Sequence, residues 1–138
     1  MSVVLDTSAL SRVMHRRPEA LSRLAELDRG QVFLASPVAA EIAYGLERLE
    51  EGLRRREILQ REYDLLRDLV RWADWDEAAA LRFGQLKARL AVAGLSIQDM
   101  DLAVASIALG LGAALATCNA GHFSRIEGLD VDDWGRRR

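Results

Sequence analysis

The segment that decides the fold is VVLDTS, residues 3–8, near the start of the chain. Three apolar residues run directly into three polar ones, which is typical of a buried strand that opens into a turn. Residues 32–35 form a second apolar run, and residues 113–118 and 129–131 are further strand candidates. Because helical patterns separate these runs, we predict a three-layer α/β/α fold around a short parallel sheet of about four strands.

Two helices are predicted to form an α-helical hairpin after the second strand. Ser36 can accept a hydrogen bond as the N-cap and Pro37 suits the first helical position, so this helix should run to about Leu49. Residues 53–70 carry apolar side chains at a spacing near 3.6, which indicates a second, amphipathic helix.

Two more helices are predicted in the second half of the chain. Asp76 is the expected N-cap of a helix that continues to Leu90. Ser96 and Asp99 have the spacing of a capping box at the start of an apolar helix, which glycines at positions 110 and 112 should end. The buried positions expected in the first of these helices are Ala79, Leu81, Phe83, Leu86 and Leu90.

The composition excludes several classes of protein. Of the 138 residues, half are apolar and 29% are charged, as in an ordinary globular protein of one domain. The longest apolar stretch, residues 102–118, is short and broken by glycines for a membrane span, and no signal-peptide pattern precedes the first strand. We therefore expect a cytoplasmic protein. The formal charge of −2 argues against a surface that coats nucleic acid broadly, so any contact with RNA should be local.

Polar side chains are expected to converge at the carboxyl ends of the strands, where ligands gather in open parallel sheets. Asp6 follows the first strand and Asn119 follows the third. Asp101 lies in the first turns of an apolar helix, in phase with alanines that should face the sheet, so its charge needs a partner. Glu41, in the second turn of its helix, faces either solvent or the same polar site.

A divalent cation is the partner that these side chains favour. Mg²⁺ takes oxygen ligands, keeps several water molecules and needs only one or two protein carboxylates. Asp6, Glu41 and Asp101 fit that chemistry, with Asn119 or Thr117 as a source of neutral oxygen.

Other catalytic arrangements have less support. His15 and His122 are the only histidines, and neither has the spacing of a zinc motif. The sequence also lacks a phosphate-binding glycine loop, a nucleophile elbow and a dinucleotide fingerprint. Asp99 differs from Asp101 by roughly 200° around the helix axis, so we assign it to helix capping rather than to the site.

Four motifs, in order, resemble those of the PIN-domain family, and in particular its VapC-type toxins. They are VVLDTS at residues 3–8, SPVAAEIAYG at 36–45, DLAVASIA at 101–108 and ATCN at 116–119. The resemblance extends over nearly the whole chain. It implies a single PIN domain over residues 1–138.

The resemblance also implies an activity and a set of partners. Members of this family are magnesium- or manganese-dependent endoribonucleases, and the VapC-type members are toxins of type II toxin–antitoxin pairs. A small VapB-type antitoxin would neutralise the enzyme by laying its tail across the active site. The same resemblance leads us to expect a homodimer. Exposed apolar side chains in residues 53–70 of the helical hairpin could form the contact between the two subunits.

Carried over to this chain, the family pattern makes Asp6 and Asp101 direct metal ligands. Glu41 becomes an acid that binds the metal directly or through water. Asn119 lies where many relatives have an aspartate, and His122 lies where relatives often have an acid. The number of metal ions therefore stays open between one and two.

The hypothesis for the mechanism is hydrolysis of RNA by a metal-activated water, which attacks a phosphodiester in line and displaces the 3′ oxygen. Thr7, Ser8 and Thr117 would orient the water or the phosphate through their hydroxyl groups. Alternatively, these hydroxyls bond to the backbone at the turn and the strand end.

Two other functions stay open. A metal-dependent phosphatase could use Asp6 as a covalent nucleophile, but such enzymes usually carry a second aspartate where this chain has Ser8. A non-catalytic PIN-fold module could instead bind nucleic acid or protein. The presence of all three acids favours catalysis.

Overall fold

The computed structural model of the protein describes residues 1–136. The strands are β1 Val3–Leu5, β2 Val32–Ala35, β3 Arg71–Ala73, β4 Ala114–Thr117 and β5 Val131–Asp133. The helices are α1 Thr7–Met14, α2 Pro18–Ala25, α3 Ser36–Glu47, α4 Arg54–Leu69, α5 Glu77–Val92, α6 Asp99–Leu111 and α7 Ala120–Phe123. A short 3-10 helix, Arg29–Gln31, leads into β2.

The strands form one parallel sheet in the order β3-β2-β1-β4-β5. Every residue of β1, β2 and β4 is buried. Neighbouring residues of a strand point to opposite faces of the sheet, so helices must cover both faces. The predicted α/β fold with a parallel sheet is confirmed.

The sheet has five strands rather than the four expected, because β3 is not evident in the sequence. This edge strand follows α4 directly and buries only Ala73, while Arg71 and Trp72 are exposed. A strand so short and so exposed has neither the apolar run nor the alternation that identifies strands. The last strand begins at Val131 rather than Leu129.

The first two helices were not predicted. Asp6 was expected to open a turn, but it is the N-cap of α1, where its Oδ1 accepts a hydrogen bond from the amide of Ala9 at 2.8 Å. Helix α2 starts with Pro18, which suits a first turn because the missing amide would have no partner there. Each of these helices has only eight residues, too short for a clear period.

Of the two predicted N-caps, Asp76 is confirmed and Ser36 is wrong. Asp76 caps α5 as expected, by accepting from the amide of Ala79 at 2.9 Å. Ser36 is not an N-cap: Ala35 takes that position, and the Ser36 hydroxyl accepts from the amide of Trp75 at 3.0 Å. This hydrogen bond holds the segment that follows β3 against the start of α3.

The predicted capping box is also wrong. Gln98 is at the N-cap of α6 without a side-chain bond, and Asp99 instead pairs with Lys87 at 2.9 Å on the surface. Helix α6 continues through Gly110 and ends at Gly112, whose φ of 64° is a left-handed C-cap. Its residues 102–108 are all buried.

The packing of α5 differs from the prediction at two positions. Ala79, Leu86 and Leu90 are buried, but Phe83 is only partly buried and Leu81 is 64% exposed. Across the described part of the chain, none of the helices combines the length and the apolarity that crossing a membrane requires.

A buried arginine fixes the end of the sheet. The guanidinium of Arg23 on α2 donates to the carbonyl oxygens of Asp133 and Arg136 and lies 3.8 Å from the carboxylate of Asp132. Arg23 is only 6% exposed. Helix α2 therefore holds β5 and the residues that follow it in place.

Candidate active site

The fold brings the predicted acids to the carboxyl edge of the sheet. Asp6 directly follows β1 and Asn119 follows β4. Helix α3 presents Glu41, which accepts a hydrogen bond from Thr7, the residue after Asp6, at 2.7 Å. Helix α6 presents Asp101 near enough for the charges of Asp6 and Glu41 to affect its pKa.

Asp6 is the most tightly held of these side chains. It is 4% exposed, and its Oδ1 accepts from the Ser8 hydroxyl at 2.7 Å as well as from the Ala9 amide. Its Oδ2 accepts from the Thr117 hydroxyl at 2.5 Å. A carboxylate has about four lone-pair sites, so these donors fix the orientation of Asp6 and leave acceptor capacity for one more partner.

The hydroxyl groups near Asp6 connect α1 to the end of β4. Thr117 is fully buried, and its hydroxyl accepts from the Asn119 amide at 2.9 Å while donating to Asp6. The Ser8 hydroxyl accepts from the Cys118 amide at 2.9 Å. Thr117 therefore holds Asp6 in place, and its role in orienting water or phosphate stays a prediction. For Thr7 and Ser8 the orientation of water or phosphate stays a prediction.

The sequence left two possibilities for Glu41, which could face either solvent or the polar site. In the structure its side chain faces the site. Its Oε1 accepts the Thr7 proton, and the side chain is half-buried. Thr7 thus links the second turn of α3 to the first turn of α1 beside Asp6.

Asp101 lies against His122, with its Oδ2 3.1 Å from the ring Nε2. Burial is the largest influence on Asp101 and raises its pKa above the usual value; the charge of His122 opposes this shift, and the charges of Glu41 and Asp6 add to it. Glu41 and Asp6 thus each repel the charge of Asp101 across the site.

An open cleft of about 570 Å³ lies in front of Asp101 and His122. Asn119 also lines it, as do Gln98 and Asp133, which sequence reasoning missed. Asp133 is the last residue of β5. The rule that ligands gather at strand ends would have identified it if the strand predicted over residues 129–131 had been predicted two residues later. No sequence pattern marks Gln98 as a site residue, apart from its position shortly before Asp101.

The donor set suits a divalent cation held in an open site. Within residues 1–136, no group of three or more His, Cys, Asp or Glu side chains is arranged so that it could hold a metal ion by itself. Over the same residues, none of the Lys and Arg ion pairs involves Asp6, Glu41 or Asp101. A cation of the magnesium type would offset this clustered negative charge, and it needs only one or two carboxylates because it keeps much of its water.

Comparisons with known proteins agree with this geometry. A family model described as PIN domain matches residues 3–129. Ribonuclease VapC2 of Haemophilus influenzae is 31% identical over 135 residues, which cover 97% of this chain and 98% of that protein. The tRNA(fMet)-specific endonuclease VapC of Shigella flexneri is 27% identical over 134 residues, with the same coverage of both chains.

The solved structures give the same result. The crystal structure of VapBC2 from Rickettsia felis bound to a DNA fragment from their promoter contains a chain that superimposes with a TM-score of 0.87 at 26% identity, covering 97% of this chain and 99% of that one. DNA-bound VapBC from Salmonella typhimurium gives a TM-score of 0.85 at 25% identity, covering 97% and 98%. The chain therefore belongs to the PIN domain family, and within it to the VapC ribonucleases.

Proposed function

We propose that this chain is the endoribonuclease toxin of a VapBC-type toxin–antitoxin pair, and that it requires Mg²⁺ or, in its place, Mn²⁺. The observation that carries the proposal is the convergence of Asp6, Glu41 and Asp101 at one edge of the sheet. Burial is the main cause that raises the pKa of Asp101, and the charges of Glu41 and Asp6 add to the shift while His122 opposes it. None of the described Lys and Arg side chains pairs with these acids, so a bound metal ion would lower the cost of placing the carboxylates together.

The residues of the site have distinct roles in this proposal. When bound, the metal ion would polarise a phosphodiester oxygen and lower the pKa of a water molecule. Asp6 and Asp101 hold the ion. Glu41 Oε1 is occupied by Thr7, which leaves Oε2 to accept a hydrogen bond from the attacking water. Asn119 is exposed in the cleft, where its amide can donate to a phosphate oxygen.

The related structures support the choice of partner. The similar chains from Rickettsia felis and Salmonella typhimurium come from VapBC complexes, so a VapB-type antitoxin is the partner that we propose here. A tail of that antitoxin across the cleft stays a prediction. So does the homodimer, for which α4 and the residue before it offer four exposed apolar side chains: Leu53, Ile58, Leu65 and Leu69.

The proposed substrate is RNA. The Shigella relative is named for cleavage of tRNA(fMet), which makes this transfer RNA the first one to test. Sequence-specific enzymes of RNA usually recognise unpaired loops by shape and stacking, and this requires only a local contact surface.

The test is RNA cleavage in Mg²⁺ by the purified protein and by its Asp6→Asn and Asp101→Asn variants, with a chelator as control and growth arrest scored in parallel. Both variants should lose more than about 100-fold in rate, since even indirect partners of metal ligands contribute 10–100-fold. Asp99→Asn is the matched control, because Asp99 is two residues from Asp101 but pairs with Lys87 on the surface. It should leave cleavage unchanged.

Growth arrest that survives both substitutions, with no cleavage of any RNA tested, would refute the nuclease proposal. The non-catalytic binding module would then be the better account. A phosphoenzyme linked to Asp6 would favour the phosphatase instead.

A further inference from the structure

His122 is the one histidine at the candidate site, and the roles assigned so far do not use it. Its Nε2 lies 3.1 Å from Asp101 Oδ2. Its ring packs edge-on against Phe123, with centroids 5.3 Å apart, and Phe123 is only 1% exposed. The buried neighbour therefore fixes the position of the imidazole beside the acid.

The separation of these two atoms suits a pair of metal ligands. Adjacent ligands of an octahedral cation with bonds of about 2.1 Å lie about 3.0 Å apart. The side chains of His122 and Asp101 are 33% and 28% exposed and line the same open cleft, so a hydrated ion can reach both. A cation between them would replace their mutual contact.

The composition of this pair affects which ion is preferred. Mg²⁺ takes oxygen ligands almost exclusively, while an imidazole nitrogen favours transition metals. Mn²⁺ is the weakest binder of the first-row series, so a site that already prefers Mn²⁺ to Mg²⁺ would prefer later members of the series more strongly.

We propose that His122 binds the metal ion of this site together with Asp101, so that a mixed nitrogen and oxygen ligand set selects a first-row transition metal over Mg²⁺. The inference rests on the proposed function for the presence of the ion. It differs from that proposal in the identity of the ligand and of the metal.

The direct test is pulsed electron paramagnetic resonance of bound Mn²⁺, using the full chain without a polyhistidine tag. A coordinated imidazole couples its nitrogen to the electron spin, so wild type should show nitrogen modulation and His122→Gln should lose it. His15→Gln is the matched control, because the chain has only two histidines and His15 is exposed at the C-cap of α1, where its ring bonds to the Ser11 carbonyl at 2.8 Å. This control should keep the signal, and it assigns the signal to His122 even if His122→Gln fails to fold.

A second measurement separates a ligand from a residue that only positions Asp101. Calorimetry gives the dissociation constants for Mn²⁺ and Mg²⁺, and the preference for Mn²⁺ should fall by about tenfold or more in His122→Gln. His122→Glu should also lose this preference, because it supplies an oxygen donor. A histidine that acted only through a hydrogen bond would weaken both ions alike and leave the ratio unchanged.

Several outcomes would overturn the inference. They are no binding of Mn²⁺ to the wild type, bound Mn²⁺ without nitrogen modulation, and an unchanged ratio of affinities in a folded His122→Gln protein. If RNA is cleaved in these cases, the proposed function stands and only the role of His122 is wrong. If instead the nitrogen signal is present but no RNA is cleaved, the ligand assignment stands and the nuclease proposal fails.

Discussion

At the scale of single residues, Asp101 links the chemistry of the site to the stability of the protein. Its pKa is raised in the folded state, chiefly by burial, so the folded protein holds this proton more tightly than the unfolded chain. The resulting stabilisation is fully present below the pKa of an unfolded aspartate, about 4, and is lost as the pH rises through the raised value. Above the raised pKa, the ionised carboxylate of Asp101 therefore destabilises the metal-free protein.

This sign leads to a prediction for Asp101→Asn. In the absence of metal at pH 7 the variant should melt about 2–4 °C higher than wild type, because the uncharged amide avoids the cost of burying a charge and the repulsion from Glu41 and Asp6, which together exceed the attraction to His122. The gain should shrink as the pH is lowered towards 4, and thermal melts across pH 4–8 in chelator measure it. Asp99→Asn, which removes a surface pair, should show no such gain. A variant less stable than wild type at pH 7 would contradict the assignment.

The acids of the site could be predicted one residue at a time, but their contacts could not. Asp6 and Asp101 stand out because each interrupts an apolar pattern with a charge that needs a partner. The hydrogen bond from Thr117 to Asp6 spans 111 residues of sequence, and no local pattern reports such a pair. For the same reason His122 remained unassigned until the fold placed it beside Asp101.

At the scale of elements, prediction succeeded where a cap and a period agreed. Helix α4 was placed within one residue at each end from its amphipathic spacing, and α5 from its Asp76 cap. It failed where a polar residue had two possible partners. Ser36 and Asp99 both have the side chains of helix starts, but Ser36 binds the Trp75 amide and Asp99 binds Lys87. Tertiary partners took precedence over local capping.

Two glycines allow a matched test of helix geometry. Gly112 ends α6 at a φ of 64°, a conformation that costs other residues about 1–2 kcal/mol, so Gly112→Ala should lower the free energy of unfolding by about that amount. Gly84 lies inside α5 with nothing within 4 Å of an added Cβ, so Gly84→Ala should raise it by about 0.5–1 kcal/mol. Urea unfolding measures both changes. A neutral Gly112→Ala would mean that α6 does not end in a left-handed cap.

At the scale of the whole molecule, the position of the site was more predictable than the order of the strands. A parallel sheet gathers ligands at its carboxyl edge whichever strands are neighbours, so Asp6 and Asn119 were expected there without knowledge of the topology. The order β3-β2-β1-β4-β5 depends on pairings between distant segments. The edge strand β3 in particular contributes too little buried surface to be visible in the sequence.

Arg23 joins α2 to β5 and the residues that follow it, and this gives a prediction for the molecule as a whole. Arg23→Met leaves two carbonyl oxygens without their donor and Asp132 without its cationic partner, so the free energy of unfolding should fall by about 2–4 kcal/mol. Amide hydrogen exchange should quicken most in β5.

Arg16→Met is the control for this change. Arg16 is 64% exposed and pairs with Glu62 at 3.4 Å on the surface, so its loss should cost less than about 1 kcal/mol. Equal effects of the two substitutions would show that the buried contacts of Arg23 do not anchor β5.

The central position of β1 also bears on how the protein is made. Asp6 directly follows β1, but the strand that completes its surroundings, β4, ends at Thr117, 111 residues later. At about 5–20 residues per second, translation needs about 6–22 s to make the stretch between them. During this interval Asp6 lacks the Thr117 hydroxyl that fixes its orientation, so a fragment released by interrupted translation before β4 would lack the assembled candidate site.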